Sequence, residues 1–163
     1  MPKAPLTPDE ILTLLRAHPG QFAALTAGLT PARLRTPPEP EAWALTGILA
    51  HLRACADVWG DVIATMLAND RPTIRAINPR AWIERTDYQD LAFAPSFAAY
   101  TAQRASLLTT LDALTLAQWE RDATVTGAGA PLTRTVYFYA QWLARHERSH
   151  LNKIARVAET VRR

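Results

Sequence analysis

Cysteine is nearly absent from this chain: Cys55 is the only one among 163 residues. A lone thiol excludes an intramolecular disulfide and a structural zinc site built from cysteines, and it suits a reducing compartment. Long apolar runs are missing too. No stretch approaches the roughly 20 residues needed to span a bilayer, and residues 1–8, with three prolines and a lysine, lack the apolar core of a signal peptide. A cytoplasmic, non-membrane protein is the expectation. Nor is there a block of like charge. The net charge is +3, with Lys and Arg scattered along the chain, so the clustered basic face of a nucleic-acid binder is not expected. Finally, the apolar residues show little of the alternation that marks strands.

What the sequence does contain is helical periodicity, with 48% hydrophobic residues. A chain of this length forms one domain, residues 1–163, that buries about two-thirds of its extended surface. Four long patterns predict an all-α four-helix bundle. The first helix opens with Thr7 as N-cap, Pro8 at the first helical position, and Asp9 and Glu10 in the first turn. Pro19 and Gly20 predict a kink or break within it. The rigid connector Thr36-Pro37-Pro38-Glu39-Pro40 precedes a second helix running from near Trp43 to about Ala68. Residues 69–95 form a long connection, expected to cross the bundle so that helices two and three run in the same direction, and a candidate lid. The third helix spans about Ser96 to Leu114. After a turn at Thr115–Trp119 and a loose segment through Gly127–Pro131, a fourth is capped near Thr133 and continues to about Val161.

Three of the four histidines fall on inward faces. Ala44, Ile48, His51, Cys55, Val58 and Val62 share one stripe of the second helix, which sets His51 among apolar neighbours. His146 and His150 are four residues apart on the core side of the fourth helix, where two imidazoles can grip one divalent cation. His51 from a facing helix would complete a three-histidine site with at least one open position. The remaining histidine, His18, is expected at the surface or in a capping role.

A Trp-led histidine segment, Trp43-Ala44-Leu45-Thr46-Gly47-Ile48-Leu49-Ala50-His51-Leu52, and a His-x-x-x-His segment, Gln141-Trp142-Leu143-Ala144-Arg145-His146-Glu147-Arg148-Ser149-His150, together resemble the DinB-like superfamily of small metal-binding bundles. The resemblance implies an up-down-down-up bundle with one divalent metal, zinc or nickel, on the three histidines. It also implies either thiol S-transfer with a low-molecular-weight thiol such as bacillithiol or mycothiol, or metal-dependent hydrolysis. Ala44 stands where Ser or Thr commonly caps the second helix, which weakens that cap by about 1 kcal/mol.

The chemistry expected of such a site follows from its open position. A cation held by three imidazoles lowers the pKa of bound water toward about 7, and it deprotonates a bound thiol for the same reason. Around it, Arg104, Tyr139, Trp142, Glu147 and Cys55 are candidates for a pocket wall or for supporting the ligands. Each also has a plainer role: Arg104 with a packed stem and a snorkelling head, Tyr139 and Trp142 as core, Cys55 as a small buried hydrophobe, and Glu147 pointing beside the site, about 100° around the helix from His146. The partners expected are a small-molecule substrate and a second copy of the chain in a homodimer. The competing reading is a non-catalytic metal-binding or stress-response dimer, which would seal the metal beneath side chains where an enzyme would leave a cleft.

Overall fold

The computed structural model describes residues 4–163; the first three residues of the proline-rich leader lie outside that range. Helix α1 (Pro8–Thr26) begins as its sequence dictates. Thr7 accepts from the Glu10 backbone N–H while the Glu10 carboxylate accepts from the Thr7 N–H, a reciprocal cap ahead of Pro8. It does not break at Pro19. A proline inside a helix costs about 3 kcal/mol, but Ile11, Leu15 and Phe22, fully buried on both sides of it, hold the helix against its neighbours. A short α2 (Pro31–Arg35) leads to α3 (Leu45–Ala68), whose N-cap Ala44 makes no side-chain cap bond.

The connection after α3 is not a bare loop. It holds a strand, β1 (Thr73–Arg75), and a helical turn, α4 (Pro79–Ile83), capped by Asn78. Next come α5 (Phe93–Asp112), α6 (Leu116–Trp119), strands β2 (Asp122–Thr126) and β3 (Leu132–Thr135), and α7 (Val136–Arg162), capped by Thr135. α5 therefore starts a turn earlier than its periodicity suggests, and α7 slightly later. The expectation of no strand is also corrected: β1 pairs parallel to β2, and β2 antiparallel to β3. Strands of three to five residues carry too few inward positions to show alternation; in β2 only Ala123 and Val125 turn inward.

Contacts at the helix ends fix the directions. The Leu6 N–H donates to Gln141 Oε1 (2.7 Å) at one end, and Arg162 Nη2 donates to the Leu25 carbonyl (2.8 Å) at the other, so α1 and α7 run parallel. Arg53 reaches Ser96 and Gln103 reaches Asp57, which makes α3 and α5 parallel. Phe22 meets Phe93 while Arg16 meets Asp112, so α1 and α5 are antiparallel. Trp59 meets Trp142 while Lys153 lies over Trp43, so α3 and α7 are antiparallel as well. The order is up-down-down-up, with the segment between α3 and α5 as the crossover. Each long helix packs on two neighbours: α1 on α7 and α5, α3 on the same two. No described helix is long and apolar enough to cross a membrane.

The core has two apolar halves. One, at the sheet end, includes Ile11, Leu15, Ile63, Met66, Leu111 and Leu143. The other includes Phe22, Leu45, Ile48, Tyr100, Leu151 and Ile154. Between these sets, on successive helices, lie His18, His51, Arg104 and Glu147, all buried. The polar side chains thus occupy a layer across the waist of the bundle.

Candidate metal centre

His51 enters this layer from the second turn of α3, and His146 and His150 from adjacent turns of α7. The crossing brings their ring nitrogens together: His51 Nε2 and His150 Nε2 each lie 3.2 Å from His146 Nε2. The ring centroids are 4.5–5.1 Å apart. His51 is buried, and His146 and His150 are half-buried, so the cluster lies close to solvent along one side.

Burial pushes His51 down to about 4 and His150 down to about 3, with the charge of His146 adding to each shift. Burial lowers His146 as well, opposed by Glu147. The three rings are therefore neutral near pH 7, with lone pairs available. A neutral ring that offers its Nε2 lone pair carries its proton on Nδ1, and the Nδ1 atoms of His146 and His150 are buried without a protein partner. With Zn–N bonds of about 2.0–2.1 Å in tetrahedral geometry, ligand nitrogens sit roughly 3.3–3.4 Å apart. The observed 3.2 Å spacing fits a first-row divalent cation held between the rings.

Cys55 lies one turn beyond His51, with Sγ 3.5 Å from His51 Nε2; His51, Cys55 and His146 also form a group compact enough to hold a metal. Burial, reinforced by the Glu147 carboxylate, pushes this thiol well above its usual range. It behaves as a small buried hydrophobe in its present surroundings.

The other sequence candidates fall into different places. Arg104 does not snorkel. It is 2% exposed and donates to Glu147 Oε1, while His18 Nδ1–H donates to Glu147 Oε2 at 2.9 Å. Glu147 is 1% exposed and is spent on these two partners from α5 and α1, beside the histidine cluster. His18, expected at the surface, is likewise 1% exposed. Its place was visible in the sequence: Ile11, Leu15, His18 and Phe22 keep helical spacing on one face, as do Leu143, Glu147, Leu151 and Ile154. Tyr139 is buried in the sheet-end core. Trp142 is 49% exposed, stacked on Phe138 and edge-on to Trp59. Trp59 in turn stands edge-on to His146, 5.0 Å between centroids.

Residues from the crossover and the start of α3 complete the surroundings, and sequence reasoning missed most of them. The Trp43 ring lies 5.1 Å from that of His51, and the Arg80 and Lys153 side chains both lie over Trp43. Two residues past Cys55, Asp57 accepts from Tyr88 Oη (2.6 Å), Trp82 Nε1 (3.1 Å) and Gln103, tying the crossover to α3 and α5. Above this hub is a cavity of about 500 Å³ lined by Val58, Asp61, Ile74, Arg75, Trp82 and Tyr88, among others.

Fold and site together define a class: a four-helix bundle whose antiparallel α3 and α7 aim three imidazoles at one point. The chain belongs to the DinB superfamily, whose profile matches residues 14–154. A Geobacillus thermodenitrificans protein named "Putative metal-dependent hydrolase" is 23% identical over 151 residues, covering 89% of this chain and 80% of its own. Among solved structures, that described as "YfiT from Bacillus subtilis is a probable metal-dependent hydrolase with an unusual four-helix bundle topology" superposes with a TM-score of 0.70 at 19% identity. The match covers 96% of this chain and 91% of that one. At that identity the likeness speaks to the fold.

Proposed function

We propose that His51, His146 and His150 hold one divalent metal ion, zinc or nickel, and that the protein is a metal-dependent hydrolase of small molecules. The observation that carries this reading is that the His51 and His150 Nε2 atoms each lie 3.2 Å from His146 Nε2, on a side of the bundle that solvent reaches. A divalent cation there supplies Lewis acidity, polarising a carbonyl or phosphoryl group and favouring deprotonation of water or a thiol near pH 7. Three protein ligands leave room for substrate, unlike a closed structural site. The names of the relatives point the same way.

The chain's own residues supply position and environment. α3 and α7 fix the imidazoles through the packed halves of the core on either side. Trp43 and Trp59 wall the cluster against His51 and His146 and limit the approach of water. Arg104, paired with Glu147 in the same layer, and Tyr139, in the sheet-end core, are both buried.

A second reading, transfer of a low-molecular-weight thiol to an electrophile, draws support from Cys55. The chain's single thiol is buried and held protonated, so a thiol nucleophile would have to arrive as a co-substrate. The test begins with elemental analysis of wild-type protein and a His146→Ala, His150→Ala double variant, each incubated with zinc or nickel and desalted. Near-stoichiometric metal in the wild type, absent from a variant with unchanged circular dichroism, is expected. The loaded protein is then assayed on esters, amides and phosphate esters, and in parallel on an electrophile with a small thiol. Equal metal in both proteins, or none in either, overturns the reading; turnover only with the thiol selects transfer.

A further inference from the structure

Two cations converge on the ring that backs the histidine cluster. The Arg80 guanidinium, from α4 of the crossover, lies 5.2 Å from the Trp43 ring centroid, and Lys153 Nζ, from α7, lies 5.3 Å from it. Trp43 packs on His51. Lys153 follows His150 by three residues, so the two side chains share a face of α7. Both charges reach the cluster: each contributes to lowering His51 and His150.

Neither cation is neutralised. Among the described residues, no carboxylate lies within ion-pair distance of Arg80 or Lys153, although Arg16, Arg71, Arg104 and Arg163 each have one. Glu39 shares a cavity of about 430 Å³ with Lys153 and Arg156, yet it forms an ion pair with neither. Two like charges beside one aromatic ring repel each other, and an anion bound by both offsets that repulsion. Arg presents a planar fork of donors and Lys a mobile point charge, a combination suited to an oxyanion.

We propose that Arg80 and Lys153, carried over Trp43, form an oxyanion subsite beside the histidine cluster, which takes a carboxylate or phosphate group on the substrate. This deepens the functional reading above and rests on it, since it makes that substrate an anion. The subsite spans two elements distant in sequence, so the crossover contributes directly to recognition. Arg80, an exposed residue, rides on a five-residue helix whose cap, the Asn78 side chain, accepts from the Arg80 backbone N–H at 2.9 Å, which fixes the backbone from which the guanidinium reaches over Trp43.

The experiment is isothermal titration of metal-loaded protein with inorganic phosphate and, separately, with acetate. It compares wild type, Arg80→Gln, Lys153→Gln and the double variant, with metal content measured in each. Arg148→Gln, an exposed charge elsewhere on α7, controls for net charge. Removing a charge-assisted hydrogen bond at either position weakens binding about tenfold or more, so each single variant is expected to bind the preferred anion about tenfold more weakly. The double variant should bind it no better than background, with metal content and the control unchanged. Tighter phosphate assigns a phosphate-bearing substrate, and tighter acetate a carboxylate. Binding equal in wild type and double variant places the anion on the metal alone and overturns the subsite, as does equal loss in Arg148→Gln or no binding of either anion at millimolar concentration. Repeating the titration on metal-stripped protein separates the two readings. If the histidines hold no metal, the functional reading fails while the dependence on Arg80 and Lys153 still decides the subsite.

Discussion

Replacing Glu147 by leucine should be among the most damaging single changes in the molecule: its helical spacing with Leu143, Leu151 and Ile154 turns a carboxylate into the core. Its carboxylate is 1% exposed and, among the described residues, is the sole anion paired with Arg104, which is 2% exposed; it also accepts from His18. Arg104 already has Nε and Nη1 without partners, as has His18 at Nε2. Without the carboxylate, a guanidinium remains buried with no counter-charge. Removing one partner of such a pair costs about 3–5 kcal/mol, a large part of a total stability of roughly 5–15 kcal/mol. Replacing both partners with apolar residues restores much of that loss, because the cost of desolvating the pair disappears with it. Urea unfolding followed by far-UV circular dichroism reads this directly. With a slope of about 1–3 kcal/mol per molar urea, Glu147→Leu should lower the midpoint by about 1 M or more, and Arg104→Met with Glu147→Leu should recover most of the difference. A loss below about 1 kcal/mol in the single variant, or a double variant as unstable as the single one, would refute the idea that the pair is electrically closed.

Cys55→Ala should keep near-stoichiometric metal, because the thiol is buried and protonated beside His51; loss of metal by elemental analysis would place the sulfur in the ligand set. Gly127, at φ +86°, turns the β2–β3 hairpin, and a Cβ there would meet Arg75 Cγ at 3.1 Å. Gly127→Ala should therefore cost about 1–2 kcal/mol, whereas Gly20→Ala, in open space within α1, should gain about 0.5–1 kcal/mol; thermal unfolding of the pair should move in opposite directions. Burial and the bond to Asp57 push Tyr88 up to about 12. The fold thus favours its neutral phenol, and the stability this brings is complete below about pH 10 and lost as pH rises through about 12. The absorbance titration of wild type minus Tyr88→Phe should show a midpoint near 12, and a midpoint near 10 would mean that the phenol does not hold Asp57.

The helices and their order were legible because each carries a local signal: the Thr7–Glu10 cap, the apolar stripes, and the proline connector before α3. The three histidines were legible for the same reason, since Ile48, His51 and Cys55 share a stripe and His146 and His150 share a face. What escaped was non-local. β1 pairs with a strand some fifty residues away, and three residues cannot announce such a partner. Arg80 lies over Trp43 only because the crossover folds back across α3. The plainer of the two readings of Arg104, a snorkelling head, failed because periodicity gives the direction of a side chain and not the charge waiting opposite, here Glu147 from another helix. At Pro19, where the sequence predicts a kink or a break, the break does not occur: its local cost is real, but burial of Leu15 and Phe22 outweighs it.

The parallel pairing of the first and last long helices also bears on synthesis. α1 emerges first, yet its apolar stripe is covered by α5 and α7, and α3, the long helix that follows it, sits diagonally across the bundle. After α5 has been made, roughly fifty more residues must be translated before α7 is complete, an interval of about 3–10 s at ordinary elongation rates. Through that interval Ile11, Leu15 and Phe22 have only half of their eventual cover. A nascent chain stalled before residue 136 would therefore present an unpartnered apolar helix, which is the state most exposed to chaperones and to aggregation.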